Sequence, residues 1–140
     1  MRAALTATTT AVLTVSAWLS WLGFHAPRFD DPVTGQSSGP YETWQGVGLG
    51  LTFLVIVVAA AWFGSPYAAA AGPPTGLVLI ASVDWGTAPD ADGLWIIGVT
   101  MLGFCAAAGA VVVVVATTLA RRYLLETSER RAPARGGPAG

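Results

Sequence analysis

The stretch that decides the fold is residues 93–120, which read GLWIIGVTMLGFCAAAGAVVVVVATTLA and precede Arg121 and Arg122. None of these residues is charged. A helix of this length rises about 42 Å, at about 1.5 Å per residue, which exceeds the roughly 30 Å of a bilayer's hydrocarbon core. The stretch therefore predicts a transmembrane helix.

Three further apolar segments precede this stretch, at residues 3–24, 40–63 and 66–84. Charged residues make up only 11% of the chain, against about 25% in an ordinary soluble domain. In the third segment Pro73 and Pro74 remove two amide donors, and they predict a kink because a helix beginning at Pro74 would be too short to cross. We therefore expect an all-α integral membrane protein, with four transmembrane helices in an antiparallel bundle over residues 1–125. Residues 126–140, rich in Arg, Pro and Gly, are predicted to form a disordered cytoplasmic tail.

The first apolar segment has two interpretations. Arg2 followed by apolar residues also describes a signal peptide with a cleavage site at residues 15–17, although the length of the segment favours a retained helix. On a helical projection the hydroxyl side chains share one side, which we expect to face neighbouring helices, while bulky apolar side chains share a side that we expect to face lipid. The hydroxyl side holds Thr6, Thr9, Thr10, Ser16 and Ser20, and the bulky side holds Val12, Val15, Trp18, Leu19 and Leu22.

The charges divide between the two ends of the predicted bundle. The end that receives both termini carries six arginines against two glutamates, whereas the end that receives the two longer loops carries one arginine against six carboxylates. The positive-inside rule therefore predicts that both termini are cytoplasmic. Four tryptophans at the acidic end and Trp62, Tyr67 and Tyr123 at the other fit two interfacial belts. The absence of Lys and Asn and the abundance of Ala and Gly indicate a high-GC bacterial source, and hence a multi-pass protein of the bacterial plasma membrane.

The sequence lacks the residue patterns of most membrane chemistry. No Asp, Glu, Lys, Arg or His lies in the interior of the predicted spans, whereas proton relays, coupled transport and intramembrane proteolysis usually require such a residue. A single histidine excludes haem held by two histidines, and the single Cys105 excludes an internal disulfide couple. We expect no cofactor and no nucleic-acid partner. A non-enzymatic role is favoured over an enzymatic one, whose chemistry would lie in the outer loops.

Polar residues of the two longer loops form the candidate site. Carboxylates with one imidazole can bind a divalent cation, although turn and helix-cap roles account for several of these side chains without a ligand. Trp44, Trp85 and Trp95 are expected to form an aromatic lid below the loops. The candidate polar cluster consists of His25, Arg28, Asp30, Asp31, Glu42 and Asp84.

The leading functional hypothesis is a non-enzymatic accessory or structural subunit that contacts other helices through small residues, such as the pair Gly46 and Gly50. Its expected partners are the lipid bilayer and either a second copy or a larger membrane protein. One alternative is a small oligomeric transporter or channel, whose path would run between the hydroxyl side of the first helix and the carbonyls of Ala69 and Ala70. A second alternative is a metal- or ligand-binding site in the outer loops.

Overall fold

The computed structural model describes the backbone of residues 1–23, 29–30, 37–38, 41–88 and 93–131, and the side chains of residues 1–23, 41–88 and 93–128. Four helices dominate this part of the chain, and a pair of two-residue strands lies between the first two of them. The elements in chain order are α1 (Arg2–Leu22), β1 (Phe29–Asp30), β2 (Ser37–Ser38), α2 (Thr43–Phe63), α3 (Pro66–Gly86) and α4 (Trp95–Arg131). The strands pair antiparallel, with Phe29 opposite Ser38.

Helices α2 and α3 lie between α1 and α4. In the described part of the chain every pair of helices is in contact except α1 with α4, and the most extensive contact joins α1 to α3. Two clusters of buried side chains hold the helices together. The alanine–valine core consists of Val57, Ala60, Ala61, Ala69, Ala110 and Val114, and the tryptophan core consists of Trp18, Leu22, Leu77, Ala81 and Val99.

Two glycines allow α3 to approach α1 closely. A Cβ atom placed on Gly72 would lie 2.6 Å from the carbonyl oxygen of Ala7. A Cβ atom on Gly76 would lie 2.9 Å from the Cα of Ala11, with the carbonyl oxygen of Ala11 closer still. Because these obstacles are backbone atoms, only glycine permits this distance between the two helices.

Three of the four helices are long and apolar enough to cross a membrane, namely α1, α2 and the first 34 residues of α4. Only 22%, 22% and 17% of the residues in their apolar windows are buried, so most of their apolar surface faces outward. Helix α3 is not in this set. It is rich in Ala, Gly and Pro, and it buries eight residues against its neighbours, including Pro73 and Pro74, through which the helix continues.

Two helix ends differ from the predicted ones by more than two residues. Helix α2 begins at Thr43 rather than at residue 40, because the side chains of Glu42 and Gln45 form a reciprocal capping box with backbone amides. Helix α4 continues past residue 120 to Arg131, so residues 126–131 of the predicted tail are helical. Residues 132–140 lie outside the described residues. Helix α3 starts as predicted, with Ser65 as the N-cap and Pro66 in the first turn.

The predicted orientation of α1 is wrong for several residues. Trp18 and Leu22 are buried, with 2% and 6% of their surfaces exposed, although both belong to the side expected to face lipid. Ser16 and Ser20 are exposed, although both belong to the hydroxyl side. Their hydroxyls donate to carbonyls one turn earlier in the same helix, over 3.0 Å and 2.8 Å, so both hydroxyls have a hydrogen-bond acceptor within α1. The large indole gains more from burial than the small hydroxyl groups do.

Candidate functional site

A carboxylate at the end of α3 joins three segments of the chain. Oδ2 of Asp84 accepts a hydrogen bond of 2.7 Å from the hydroxyl of Tyr41, which lies just before α2. The same oxygen accepts a longer hydrogen bond of 3.3 Å from the indole Nε1 of Trp18 on α1. A further side-chain hydrogen bond links Tyr41 to Trp85. These four residues are named the Asp84 cluster below, and they connect α1 and α3 to the start of α2.

The Asp84 cluster keeps Tyr41 protonated. Burial raises the pKa of Tyr41 from 10.0 to about 12, and the hydrogen bond to Asp84 and the charge of that carboxylate act in the same direction. The hydrogen bond with Trp85 lowers the pKa and offsets part of this effect. At neutral pH Tyr41 is therefore a stable hydrogen-bond donor to Asp84, and it is poorly suited to act as a base.

Aromatic rings surround the cluster in an arrangement that differs from the predicted lid. Trp85 makes an edge contact with Trp18, at 5.9 Å between ring centroids and 62° between planes. Trp44 is 62% exposed and makes an edge contact with Trp21 instead, at 6.0 Å and 73°. Trp95 packs against the tryptophan core. The expectation that Trp44 would cover the site with Trp85 and Trp95 is therefore wrong, because Trp18 turns inward and occupies that place.

Two of the six predicted site residues have described side chains. Asp84 belongs to the cluster above, and Glu42 is exposed and serves as the N-cap of α2. Asp30 lies in β1, but its side chain is outside the described residues, as are His25, Arg28 and Asp31. Within the described residues no three His, Cys, Asp or Glu side chains come together in a way that could hold a metal ion. The metal-site hypothesis for the whole set stays a prediction.

An apolar groove of about 530 Å³ lies between α2 and α4. Its walls are residues 46–57 of α2 and 102–113 of α4, and its floor includes Leu77 of α3. Tyr41 and Trp85 line one end. At the other end Val57 belongs to both the groove and the alanine–valine core, which closes the space between the helices. The lining residues are Trp18, Leu22, Tyr41, Gly46, Leu49, Gly50, Phe53, Leu54, Val57, Leu77, Trp85, Leu102, Cys105, Ala106, Gly109 and Val113.

Three glycines in the groove walls have empty space where a side chain would be. A Cβ atom on Gly46, Gly50 or Gly109 would meet no other atom within 4 Å. The spacing of Gly46 and Gly50 allows a close helix contact, but no other described helix of this chain approaches these two positions. Gly48, between them, instead contacts the ring of Trp21, 2.6 Å from its Cβ position. Cys105 is exposed in the same groove.

The hydroxyl groups of α1 do not line the groove. Oγ1 of Thr10 donates to the carbonyls of Thr6 and Ala7, over 2.9 Å and 3.0 Å, and the side chain packs against Gly72. Ala69 has no exposed surface. The polar path on which the transporter alternative depends would have to pass between the hydroxyl side of α1 and the carbonyls of α3. In the described structure Thr10 and Ala69 are buried, whereas Ser16 and Ser20 are exposed.

Comparisons with known protein families, with curated proteins and with solved structures found no match to this chain.

Proposed function

We propose that this chain is a non-enzymatic accessory subunit of the bacterial plasma membrane, and that it packs the outward face of α1 against a transmembrane helix of a partner. The observation that carries the proposal is the exposed row of small hydroxyl residues Thr9, Ser16 and Ser20 on a helix apolar enough to cross a membrane. Small and hydroxyl residues are enriched where membrane helices approach one another, because they let two backbones come close. The partner helix belongs either to a larger membrane protein or to a second copy of this chain.

The proposed architecture is an antiparallel bundle in which all four helices cross. Two contacts support it for α1 and α2: Thr6 lies against Gly64 at the end of α2, and the ring of Trp21 lies against Gly48 near its start. Helix α3 is not among the helices that are apolar enough to cross by length and composition, and its small residues suit a span surrounded by protein rather than by lipid. We place a kink in α3 at Pro73 and Pro74, since neither proline can donate the amide hydrogen bond of a regular helix.

In the proposed topology both termini are cytoplasmic, and the charge asymmetry of the two ends supports it. A reporter fused after Gly140 is expected to behave as cytoplasmic. In a Cys105→Ser background, Ser37→Cys is expected to react with an impermeant thiol reagent from outside the cell. Labelling of the tail from outside would overturn this orientation, and a mature protein beginning near Trp18 would establish the cleaved signal peptide.

Cross-linking tests the proposed partner face. In a Cys105→Ser background, Ser16→Cys is expected to form a cross-link in native membranes, with a mass that distinguishes a second copy from a larger partner. Thr100→Cys on α4 is a matched control, because Thr100 is also exposed and its hydroxyl also bonds to its own helix, over 2.7 Å to Ile96. Equal cross-linking at both positions, or none at Ser16→Cys, would exclude the outward face of α1 as the contact surface.

A further inference from the structure

Helix α4 continues well past its neighbours at the inner end of the bundle, the end at which α2 stops and α3 begins. The alanine–valine core joins α2 and α3 to α4 near this end. Beyond the core, α2 continues for only two residues after Ala61, and only three residues of α3 precede Ala69. Helix α4 continues for seventeen residues after Val114. At about 1.5 Å per residue, α4 therefore projects roughly 20 Å beyond the ends of α2 and α3.

The projecting part of α4 is open to its surroundings. Thr117, with 9% of its surface exposed, is the last buried residue among the described side chains of α4. Tyr123 is 68% exposed, and Leu124 and Leu125 are each more than half exposed. The charged side chains of residues 121 and 122 are exposed as well. Whatever surrounds the inner end of the bundle therefore contacts this part of the helix directly.

The depth of the first two charges on α4 follows from the length of α2. In the proposed bundle α2 spans the hydrocarbon core, since its 21 residues rise about 31 Å. Its last residue, Phe63, then marks the inner edge of that core, two residues beyond Ala61. Because Ala61 and Val114 belong to the same cluster, Arg121 and Arg122 lie about five or six residues past this edge, or roughly 8–9 Å.

A third arginine reaches a similar depth on another helix. Thr6 of α1 lies against Gly64, the residue that ends α2. Arg2 is exposed and lies four residues before Thr6, and so about 6 Å beyond the same edge. The headgroup region adds about 5–8 Å on each side of the hydrocarbon core, and long arginine side chains extend toward it. Two helices that do not touch each other thus place arginines at the depth of the lipid phosphates.

The charge of this layer favours lipid phosphate over a protein segment. Of the described acidic side chains, Glu42 and Asp84 lie at the opposite end of the bundle, and Glu126 lies about 6 Å past Arg122. Guanidinium groups bind phosphate through paired hydrogen bonds, and basic residues next to a span attract anionic lipids. Since α2 and α3 separate α1 from α4, one protein segment would not cover both sides, whereas lipid surrounds the whole bundle.

We propose that Arg121 and Arg122, with Arg2 on the other side of the bundle, bind the phosphate groups of anionic phospholipids in the leaflet at the inner end. In the topology proposed above this is the cytoplasmic leaflet. Tyr123, next to the arginine pair, lies at the same interface, where tyrosine is enriched. The inference rests on the proposed crossing of the membrane, and it does not need the partner contact at Ser16.

Lipid selectivity tests this site. The full chain is reconstituted in bilayers of equal parts phosphatidylglycerol and phosphatidylcholine, extracted, and examined by native mass spectrometry. The wild type is expected to retain phosphatidylglycerol in preference, and Arg121→Gln with Arg122→Gln is expected to lower the retained phosphatidylglycerol about tenfold. Arg130→Gln with Arg131→Gln is the matched control, because it removes the same charge about 13 Å farther along α4, and it is expected to retain the lipid.

A second measurement uses the unaltered chain. Phosphatidylglycerol with a photoactivatable headgroup is expected to label residues 118–125 more strongly than the corresponding phosphatidylcholine does. Equal labelling by the two lipids, equal retention of both by the wild type, or the same loss in both double variants would overturn the proposal. In a Cys105→Ser background, a photo-cross-linker on Leu124→Cys that captures a protein instead of lipid would also overturn it. The cross-link at Ser16→Cys is scored separately, so the proposed partner contact and this site can fail independently.

Discussion

Two pairs of glycines in this chain have the same spacing and opposite surroundings. Gly72 and Gly76 of α3 lie so close to α1 that neither could carry a side chain without displacing backbone atoms. Beyond the local backbone of α2, Gly46 and Gly50 have no atom within 4 Å of their Cβ positions. Glycines four residues apart permit a close contact between membrane helices, but they do not determine whether one forms. Gly72 and Gly76 therefore permit the close packing of α3 on α1, whereas Gly46 and Gly50 leave part of the groove wall without side chains.

The largest expected effect on stability concerns Gly72 and Gly76, the pair that packs closely against α1. Gly76→Ala places a methyl group against the backbone of Ala11, and α1 has to move to accommodate it. Because the obstacle is backbone rather than a flexible side chain, we expect a loss of about 2–3 kcal/mol in the free energy of unfolding. Reversible unfolding in detergent, followed by circular dichroism, measures the change. A stability equal to that of the wild type would mean that α1 and α3 are farther apart than described.

The next largest expected effect on stability concerns the hydrogen bond from Tyr41 to Asp84. Tyr41→Phe removes the hydroxyl that donates to Asp84 over 2.7 Å. A hydrogen bond to a charged group contributes about 1.5–3 kcal/mol, and the partial exposure of Tyr41 places the expected loss near 1–2 kcal/mol. The measurement is the free energy of unfolding of Tyr41→Phe. Tyr67→Phe is the control, because Tyr67 is 86% exposed. Equal stability of the two variants would show that the Asp84 cluster does not hold the start of α2.

The pH dependence of stability provides a sharper test of the same contact. The folded chain holds the Tyr41 proton more tightly than the unfolded chain, since the pKa rises from 10.0 to about 12 on folding. The resulting stabilisation is fully present below about pH 10 and is lost as pH rises toward 12. Melting temperatures across this range should fall more steeply for the wild type than for Tyr41→Phe. Parallel curves would contradict the raised pKa.

The smallest expected effect is an increase in stability, from a substitution at Gly50. Gly50→Ala adds a methyl group where nothing lies within 4 Å, so it meets no steric obstacle. Alanine also restricts the unfolded chain more than glycine does, and we expect a gain of about 0.5–1 kcal/mol in the free energy of unfolding. The same unfolding experiment as for Gly76→Ala compares the two sites directly. A loss at Gly50 as large as that at Gly76 would show that the groove is closed.

The sequence predicts where the helices lie better than how they face one another. The pair Ser65 and Pro66 marked the start of α3 correctly, because a capping residue followed by proline has a local physical cause. The predicted start of α2 at residue 40 was wrong, because the capping box between Glu42 and Gln45 places the start at Thr43 and pairs backbone amides that would otherwise lack partners.

The direction in which a side chain faces depends on how the helices pack. A local sequence pattern does not contain that information. The hydroxyl groups of α1 bond to their own helix, so their position on the helical projection does not identify its buried side. Asp84 was recognised as a candidate, but its hydrogen bonds with Tyr41 and Trp18 were not predicted. Trp18 is separated from Asp84 by 66 residues, and only the packing of α1 on α3 brings the two together.

The most direct measurement uses the only cysteine in the chain. Cys105 is exposed in the groove, ten residues or about 15 Å along α4 from its start at Trp95, and so near the middle of a membrane about 30 Å thick. A spin label attached to Cys105 in phospholipid bilayers should relax strongly with oxygen, which concentrates in hydrocarbon, and weakly with a water-soluble nickel complex. That result is expected if α4 crosses the bilayer. Relaxation by the nickel complex as strong as that by oxygen would place Cys105 in water and contradict the membrane-spanning bundle.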